Sequence, residues 1–167
     1  MNKKITLFCG VPGVGKDYIA KSMGFNILSY DDIRVEIYRN SAQTLGLVSH
    51  LQHIDYNQIY KEAFDYCNRE KIDLNGRLVQ KAKNTESPIA ICNTNLSVKA
   101  RRSIMNVLKP ICYSFDCYYV FSDTNTIMER NQNRDKQIPT DVIHKFMRKQ
   151  SVPTLAEGFN SVEFIRN

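Results

Sequence analysis

A parallel α/β sheet with helices on both faces is the fold class predicted by this 167-residue sequence, on three observations. Short apolar and β-branched runs alternate with stretches of helical periodicity, as in strand-helix-strand units. The first of these runs ends in a glycine-rich loop that leads directly into a helix. The composition, 43% hydrophobic and 24% charged, is that of an ordinary soluble globular chain. The length suits one domain, expected to take up residues 1–167.

The elements follow in order. Lys3–Cys9 is apolar and ends at a glycine, as a strand buried on both faces should. After the loop, Lys16–Met23 forms a short helix stopped by Gly24, and Asn26–Tyr30 reads as a second strand. Asp31 or Asp32 is expected to cap a helix running to about Arg39. Residues 40–53 have no clear period. From Asp55 to Lys83, Ile59, Ala63, Phe64, Cys67, Ile72 and Leu78 recur at helical spacing, with a break or kink expected at Gly76. Pro88–Cys92 is a third strand, Ser97 caps a helix to Leu108, and Cys112–Phe121 is a fourth strand. A helix follows Asp123, a charged stretch runs from Glu129 to Lys136, and Pro139 opens a helix to about Gln150. Val162–Ile165 closes the sheet. Tyr113, Phe115, Tyr118 and Tyr119 are read as core or sheet-face residues.

Composition narrows the function classes. No apolar run approaches the roughly 20 residues that span a bilayer. The N-terminus lacks a signal-peptide pattern, so a cytoplasmic location without a membrane partner is expected. Five scattered cysteines and three histidines make no disulfide framework and no metal spacing. The net charge of +6 favours polyanionic partners, nucleic acid or nucleotides.

Gly10-Val11-Pro12-Gly13-Val14-Gly15-Lys16 matches G-x-x-x-x-G-K between a strand and a helix, where a phosphate-binding loop belongs. Glycines let successive N–H groups curl around an anion, and the lysine reaches the outer phosphates. The predicted fold is therefore a P-loop NTPase-type parallel sheet. Its nucleotide-binding residues are Gly10, Gly13, Val14, Gly15, Lys16 and Asp17, with ATP and Mg²⁺ as expected cofactors. Asp17 stands where Ser or Thr normally offers a hydroxyl to the metal. Two readings remain for it: a Mg²⁺ ligand, direct or through water, and a helix cap.

Asp31 and Asp32 follow a strand end, on the side of the sheet where ligands bind. Asp31 suits acceptance of a proton from an attacking hydroxyl, and Arg34, one turn on, suits a phosphate beside it. Arg130 and Arg134 fall four apart, as on one face of a helical lid, and arginine fits developing phosphoryl charge.

These blocks, together with Cys92-Asn93-Thr94-Asn95-Leu96, Arg101-Arg102 and Ile138-Pro139-Thr140-Asp141, resemble the kinase domain of the phage polynucleotide 5′-kinase/3′-phosphatase family over most of the chain. The resemblance implies ATP-dependent phosphorylation of 5′-hydroxyl ends of DNA or RNA, in a phage-encoded repair role inside a bacterial host. It implies that Lys16 stabilises the transferring phosphoryl group and that Asp31 is the general base. Arg34 would hold the phosphate 3′ of the terminal nucleoside, and Arg134, supported by Arg130, would act from the lid. The family usually carries an acidic residue at Asn93 and Ser at Asp17. Asn93 either hydrogen-bonds the acceptor strand or caps the turn into the helix at Ser97. No Asp-x-Asp-x-Thr signature occurs, so 3′-phosphatase activity is not expected. Two other functions compete: a nucleoside or nucleoside monophosphate kinase, and a non-catalytic P-loop protein that binds nucleic acid.

Overall fold

Five strands run parallel in the computed structural model, which describes residues 3–46, 48–135 and 137–167. Lys136, the last residue of the charged stretch, lies outside the described residues, as do Met1, Asn2 and Leu47. The strands are β1 (Lys4–Cys9), β2 (Asn26–Leu28), β3 (Ile89–Ile91), β4 (Ser114–Phe121) and β5 (Ser161–Arg166), paired in the order β2-β3-β1-β4-β5. β1 sits at the centre, with Ile5 opposite Ile89 on one side and Phe115 on the other. The predicted P-loop NTPase-type fold with helices on both faces is what forms.

Alternation along β1 divides the core. Ile5, Leu7 and Cys9 face one side, against Ile33 of α2 (Tyr30–Thr44), Leu78 and Ala82 of α5 (Leu74–Asn84), and Ile104 and Leu108 of α6 (Val98–Leu108). Phe8 faces the other, with Ile19 of α1 (Lys16–Ser22), Ile127 of α7 (Thr124–Gln132) and Ile143 of α8 (Thr140–Lys149). Two helices, α3 (Val48–His53) and α4 (Tyr56–Arg69), add an outer patch in which Val35 meets Ile59 and Ala63.

Several boundaries differ from the sequence reading. The cap of α2 is Ser29, whose Oγ accepts the Asp32 N–H at 3.1 Å; Asp31 and Asp32 sit inside the first turn instead. The helix runs on to Thr44, and α3 fills part of the segment that showed no period. The long helical stretch is two helices, separated at residues 70–73, where Lys71 adopts φ 50°. Gly76 breaks nothing: it lies in the first turn of α5, where its N–H donates to the capping Asp73 carboxylate at 2.9 Å. Ser97 and Asp123 cap α6 and α7 as expected of their residue types. Phe115 and Tyr119 are buried, whereas Tyr113 precedes β4 and is 78% exposed.

One polar cluster ties the carboxyl edge of the sheet together. The wholly buried Arg101 makes a two-pronged ion pair with Glu157, both N···O distances being 2.7 Å. Its Nη1 donates to the carbonyls of Asn95 and Ser151, at 3.1 and 2.9 Å, and Nη2 also reaches Ser151 Oγ at 3.2 Å. Asn95 in turn donates to the Phe8 and Ile91 carbonyls, at 2.9 and 3.2 Å, next to the ends of β1 and β3. Glu157 also accepts the Thr154 N–H at 3.0 Å, closing a capping box around a short 3-10 turn (Leu155–Glu157).

Removing one partner of a buried ion pair strands the other charge. Glu157→Ala is therefore expected to lower the unfolding free energy by roughly 3–5 kcal/mol. The double replacement Arg101→Met with Glu157→Leu should lose less. Urea unfolding followed by far-ultraviolet circular dichroism measures both. A single-variant loss below about 1 kcal/mol, the scale of an exposed pair, would overturn this account.

Candidate active site

The loop from Gly10 to Gly15 joins β1, the central strand, to α1. Gly10 has φ 150° and lies so close to β4 that a Cβ there would overlap the Val120 carbonyl oxygen. Its N–H donates to the Thr94 carbonyl at 3.1 Å, fixing the start of the loop to the segment after β3. Gly15, at φ 84°, is the N-cap of α1 and no side chain caps this helix. Asp17 consequently does not act as its cap, which removes one of the two readings of that residue. The Lys16 ammonium is buried, donating to the carbonyls of Gly10 at 2.9 Å and Val11 at 3.1 Å. Burial pushes its pKa below the usual lysine range, and the Asp17 carboxylate works in the opposite direction.

A cavity of about 770 Å³ opens over this loop. Of the residues singled out in the sequence, Gly13, Gly15, Lys16, Asp17, Asp31, Arg34, Asn93, Arg130 and Arg134 all line it. Gly10 and Val14 form the buried underside of the loop.

The wall opposite the loop is the N-terminal turn of α2. Arg34 donates from Nη1 to Asp31 Oδ1 at 3.0 Å, one turn apart on the helix. Its guanidinium lies 5.9 Å from the Tyr30 ring centre and 5.2 Å from that of Phe64, two faces that hold a cation in place. Arg34 Nε is buried and has no hydrogen-bond partner among the described residues. Asp32 accepts from Ser29 Oγ at 2.6 Å and from the Tyr60 hydroxyl at 3.3 Å. The Asn93 side-chain oxygen accepts the Tyr30 N–H at 3.0 Å, joining the end of β3 to the start of α2. It therefore does not cap the turn into α6, a task that Ser97 performs on the Ala100 N–H. The Asn93 amide nitrogen is likewise buried, with no partner among the described residues.

The third wall consists of α7, α8 and the segment between them. The two arginines do not share a helix face, because α7 ends at Gln132 and Arg134 lies beyond its C-cap, Asn133. The segment is instead folded back by Asn131, which donates to the Ile138 carbonyl at 2.7 Å and accepts the Ile138 N–H at 3.0 Å. Asn57 of α4 adds a hydrogen bond to the Asp135 carbonyl at 3.0 Å. Arg134 reaches the cavity from this return, and Arg130 lies beside the loop, 3.4 Å from the Val14 carbonyl.

Other residues of the site escaped sequence reading. Phe64 fits the helical period of a core residue but is 49% exposed beside Arg34. Cys92 lines the cavity next to Asp17, and burial together with that carboxylate pushes its thiol far above the ordinary range, so it carries no nucleophilic thiolate. Asn167 donates to the Val14 carbonyl at 2.8 Å across a chain separation of 153 residues, and no local pattern announces it. Among the described residues, no cluster of three or more His, Cys, Asp or Glu side chains could hold a metal alone, and no helix is long and apolar enough to cross a membrane.

Comparison with known proteins agrees with this geometry. The family model AAA_33, described as an AAA domain, matches residues 5–153. An L-seryl-tRNA(Sec) kinase from Methanococcus maripaludis is 26% identical over 95 residues, which cover 57% of this chain and 36% of that protein. The match thus spans about a third of that relative's length. Among solved structures, a sugar kinase from Janibacter sp. HTCC2649 superposes with a TM-score of 0.56 at 16% identity, covering 99% of this chain and 86% of the other. A putative kinase from Chloroflexus aurantiacus gives 0.58 at 14% identity, over 99% and 89% of the two chains. Kti12 from Chaetomium thermophilum, in complex with ADP-AlF3, gives 0.58 at 11% identity, over 97% and 88%. At these identities the structural likeness is one of fold. The family match runs through the phosphate loop, the Asp31–Arg34 turn and both Arg130 and Arg134, and the chain belongs to the AAA_33 family, with the fold of the P-loop kinases it superposes on.

Proposed function

We propose that this protein is a kinase that transfers the γ-phosphate of ATP to the 5′-hydroxyl end of DNA or RNA. The observation that carries the reading is the Asp31–Arg34 pair across the cavity from Lys16, with two buried donors, Arg34 Nε and Asn93 Nδ2, on the same wall. A carboxylate beside an arginine and an amide is suited to an acceptor that carries a hydroxyl and a phosphate a few bonds apart. The excess of positive charge, +6, suits a polyanionic strand. The relative from Methanococcus maripaludis is named for an acceptor carried on a tRNA, which also favours a nucleic-acid-borne hydroxyl.

In this mechanism the 5′-oxygen bonds to the γ-phosphorus, the bond to the bridging oxygen of ADP breaks, and the hydroxyl proton passes to Asp31. Arg34 and Asn93 hold the acceptor phosphate so that the hydroxyl stays in line. Lys16 and Arg134 bear on the charge spread over the transferring group, and Arg130 supports Arg134. The residues present fit Mg²⁺, which takes one or two carboxylates and draws its other ligands from phosphates and water. Asp17, an exposed carboxylate in the first turn of α1 on the cavity wall, would hold it. When bound, the ion neutralises phosphate charge.

A second reading, a kinase of nucleosides or nucleoside monophosphates, is favoured by the cavity volume of about 770 Å³, ample for a nucleotide and a small acceptor. Labelled ATP offered with a 5′-hydroxyl oligonucleotide and with a free nucleoside separates the two. The expected result is label on the oligonucleotide end, with kcat reduced on the order of 100-fold or more in Asp31→Asn and Arg134→Ala. Turnover should also fall as salt rises. Salt-insensitive transfer to the nucleoside would support the second reading, and ATP binding without transfer to either acceptor would support the non-catalytic one.

Asp17 has its own test. Asp17→Ser should shift the Mg²⁺ concentration for half-maximal turnover by about ten-fold or more. An unchanged Mg²⁺ dependence would remove the metal role.

A further inference from the structure

The geometry points to Asn167 as a positioning residue for nucleotide phosphate, acting through the peptide bond between Val14 and Gly15. Asn167 follows β5 directly, and its backbone N–H donates to the Phe121 carbonyl at 2.9 Å, so the end of β4 holds it in place. From there its side-chain amide donates to the Val14 carbonyl at 2.8 Å. Arg130 Nη1 approaches the same oxygen at 3.4 Å. Val14 is buried and does not line the cavity that Gly15 lines, so both donors hold its oxygen on the side away from that cavity.

A trans peptide is planar, so its C=O and N–H point in opposite directions. An anchor on the Val14 oxygen therefore sets the direction of the Gly15 N–H, one of the loop groups that an anion-binding nest needs facing inward. Without the anchor this peptide can rotate, because the glycine on its far side has φ 84° and no side chain to resist. The closeness of Asn167 places its own demand on Gly15: a Cβ there would overlap the Asn167 amide nitrogen and come within 3.7 Å of Arg130 Nη1. The last glycine of the motif thus serves the latch as well as the phosphate. Arg130 gains a role distinct from that of Arg134, since it braces the loop from within α7 while Arg134 lies beyond the end of that helix.

Sequence position hides this contact. Asn167 is remote from every motif, and β5, the strand that presents it, is the outer strand beyond β4.

The inference rests on the phosphate loop holding ATP and not on the identity of the acceptor, so binding is measured directly. Calorimetric titration with Mg-ATP and with inorganic tripolyphosphate compares the unaltered protein with Asn167→Ala and with Asn167→Asp, whose carboxylate is nearly isosteric but cannot donate. One lost hydrogen bond predicts affinity about five-fold weaker for Asn167→Ala, and a larger loss for Asn167→Asp. The loss should be equal for ATP and tripolyphosphate, because it acts on phosphate and not on the base. The melting temperature of the free protein should fall by no more than the roughly 2–4 °C that one lost hydrogen bond costs, while in turnover kcat stays unchanged and KM for ATP rises. ATP bound equally well by all three proteins would overturn this inference alone. A fall in melting temperature well beyond that of one hydrogen bond, with kcat lowered along with affinity, would reduce Asn167 to an anchor for β5. Absence of ATP binding to the unaltered protein would overturn the nucleotide site together with this inference.

Discussion

The buried pair of Arg101 and Glu157 is the constraint on which the rest of the site depends. A guanidinium taken wholly out of water is tolerated only with its donors engaged, and here they are shared between one carboxylate and two backbone carbonyls. Those acceptors lie on the segment after β3, on the segment after α8 and on the 3-10 turn before β5. The carboxyl edge of the sheet is thereby drawn into one unit. Asn95, held by its carbonyl, passes the restraint to β1 through Phe8, and Thr94 beside it receives the first N–H of the phosphate loop. A loop that must present its N–H groups without reorganising gains from such a rigid base.

The site has three walls of different origin. The floor is local: a strand, a run of glycines and a lysine adjacent in sequence. The second wall is a helix start whose first N–H is held by Asn93, from the segment after β3. Asn93 uses both ends of its amide here: the oxygen accepts the Tyr30 N–H, while the nitrogen supplies a buried donor that a carboxylate would lack. The third wall is the return between α7 and α8, folded by Asn131 and touched by Asn57. Arg134 is positioned by this fold-back, and not by helix periodicity.

Charge and burial divide the labour among the cationic groups. Lys16 is buried against loop carbonyls, Arg34 is gripped by two rings and a carboxylate, and Arg101 is sealed in the core. Each is held by a different chemistry, which fixes Lys16 and Arg34 at the cavity and Arg101 beneath it in the core. The thiols of Cys9 and Cys117 pack 3.4 Å apart beneath the loop and serve as apolar filling.

The sequence by itself determined the sheet, its helices on both faces, the phosphate loop and the residues that gather around the cavity, because each is written in a local pattern. Strand runs, glycine spacing and Ser or Asp caps depend on neighbours a few positions away. Tertiary structure decided what local pattern could not hold. Gly76 looks like a breaker but joins a capped helix start, since Asp73 offers its N–H a partner. Arg130 and Arg134 have helical spacing, yet the chain turns between them because Asn131 pairs with Ile138. Glu157 and Asn167 became visible only when residues 56 and 153 positions away came into contact, as the partners Arg101 and Val14 did. Contacts of that separation are set by strand order and by the need to satisfy buried polar groups, and neither leaves a periodic trace in the chain.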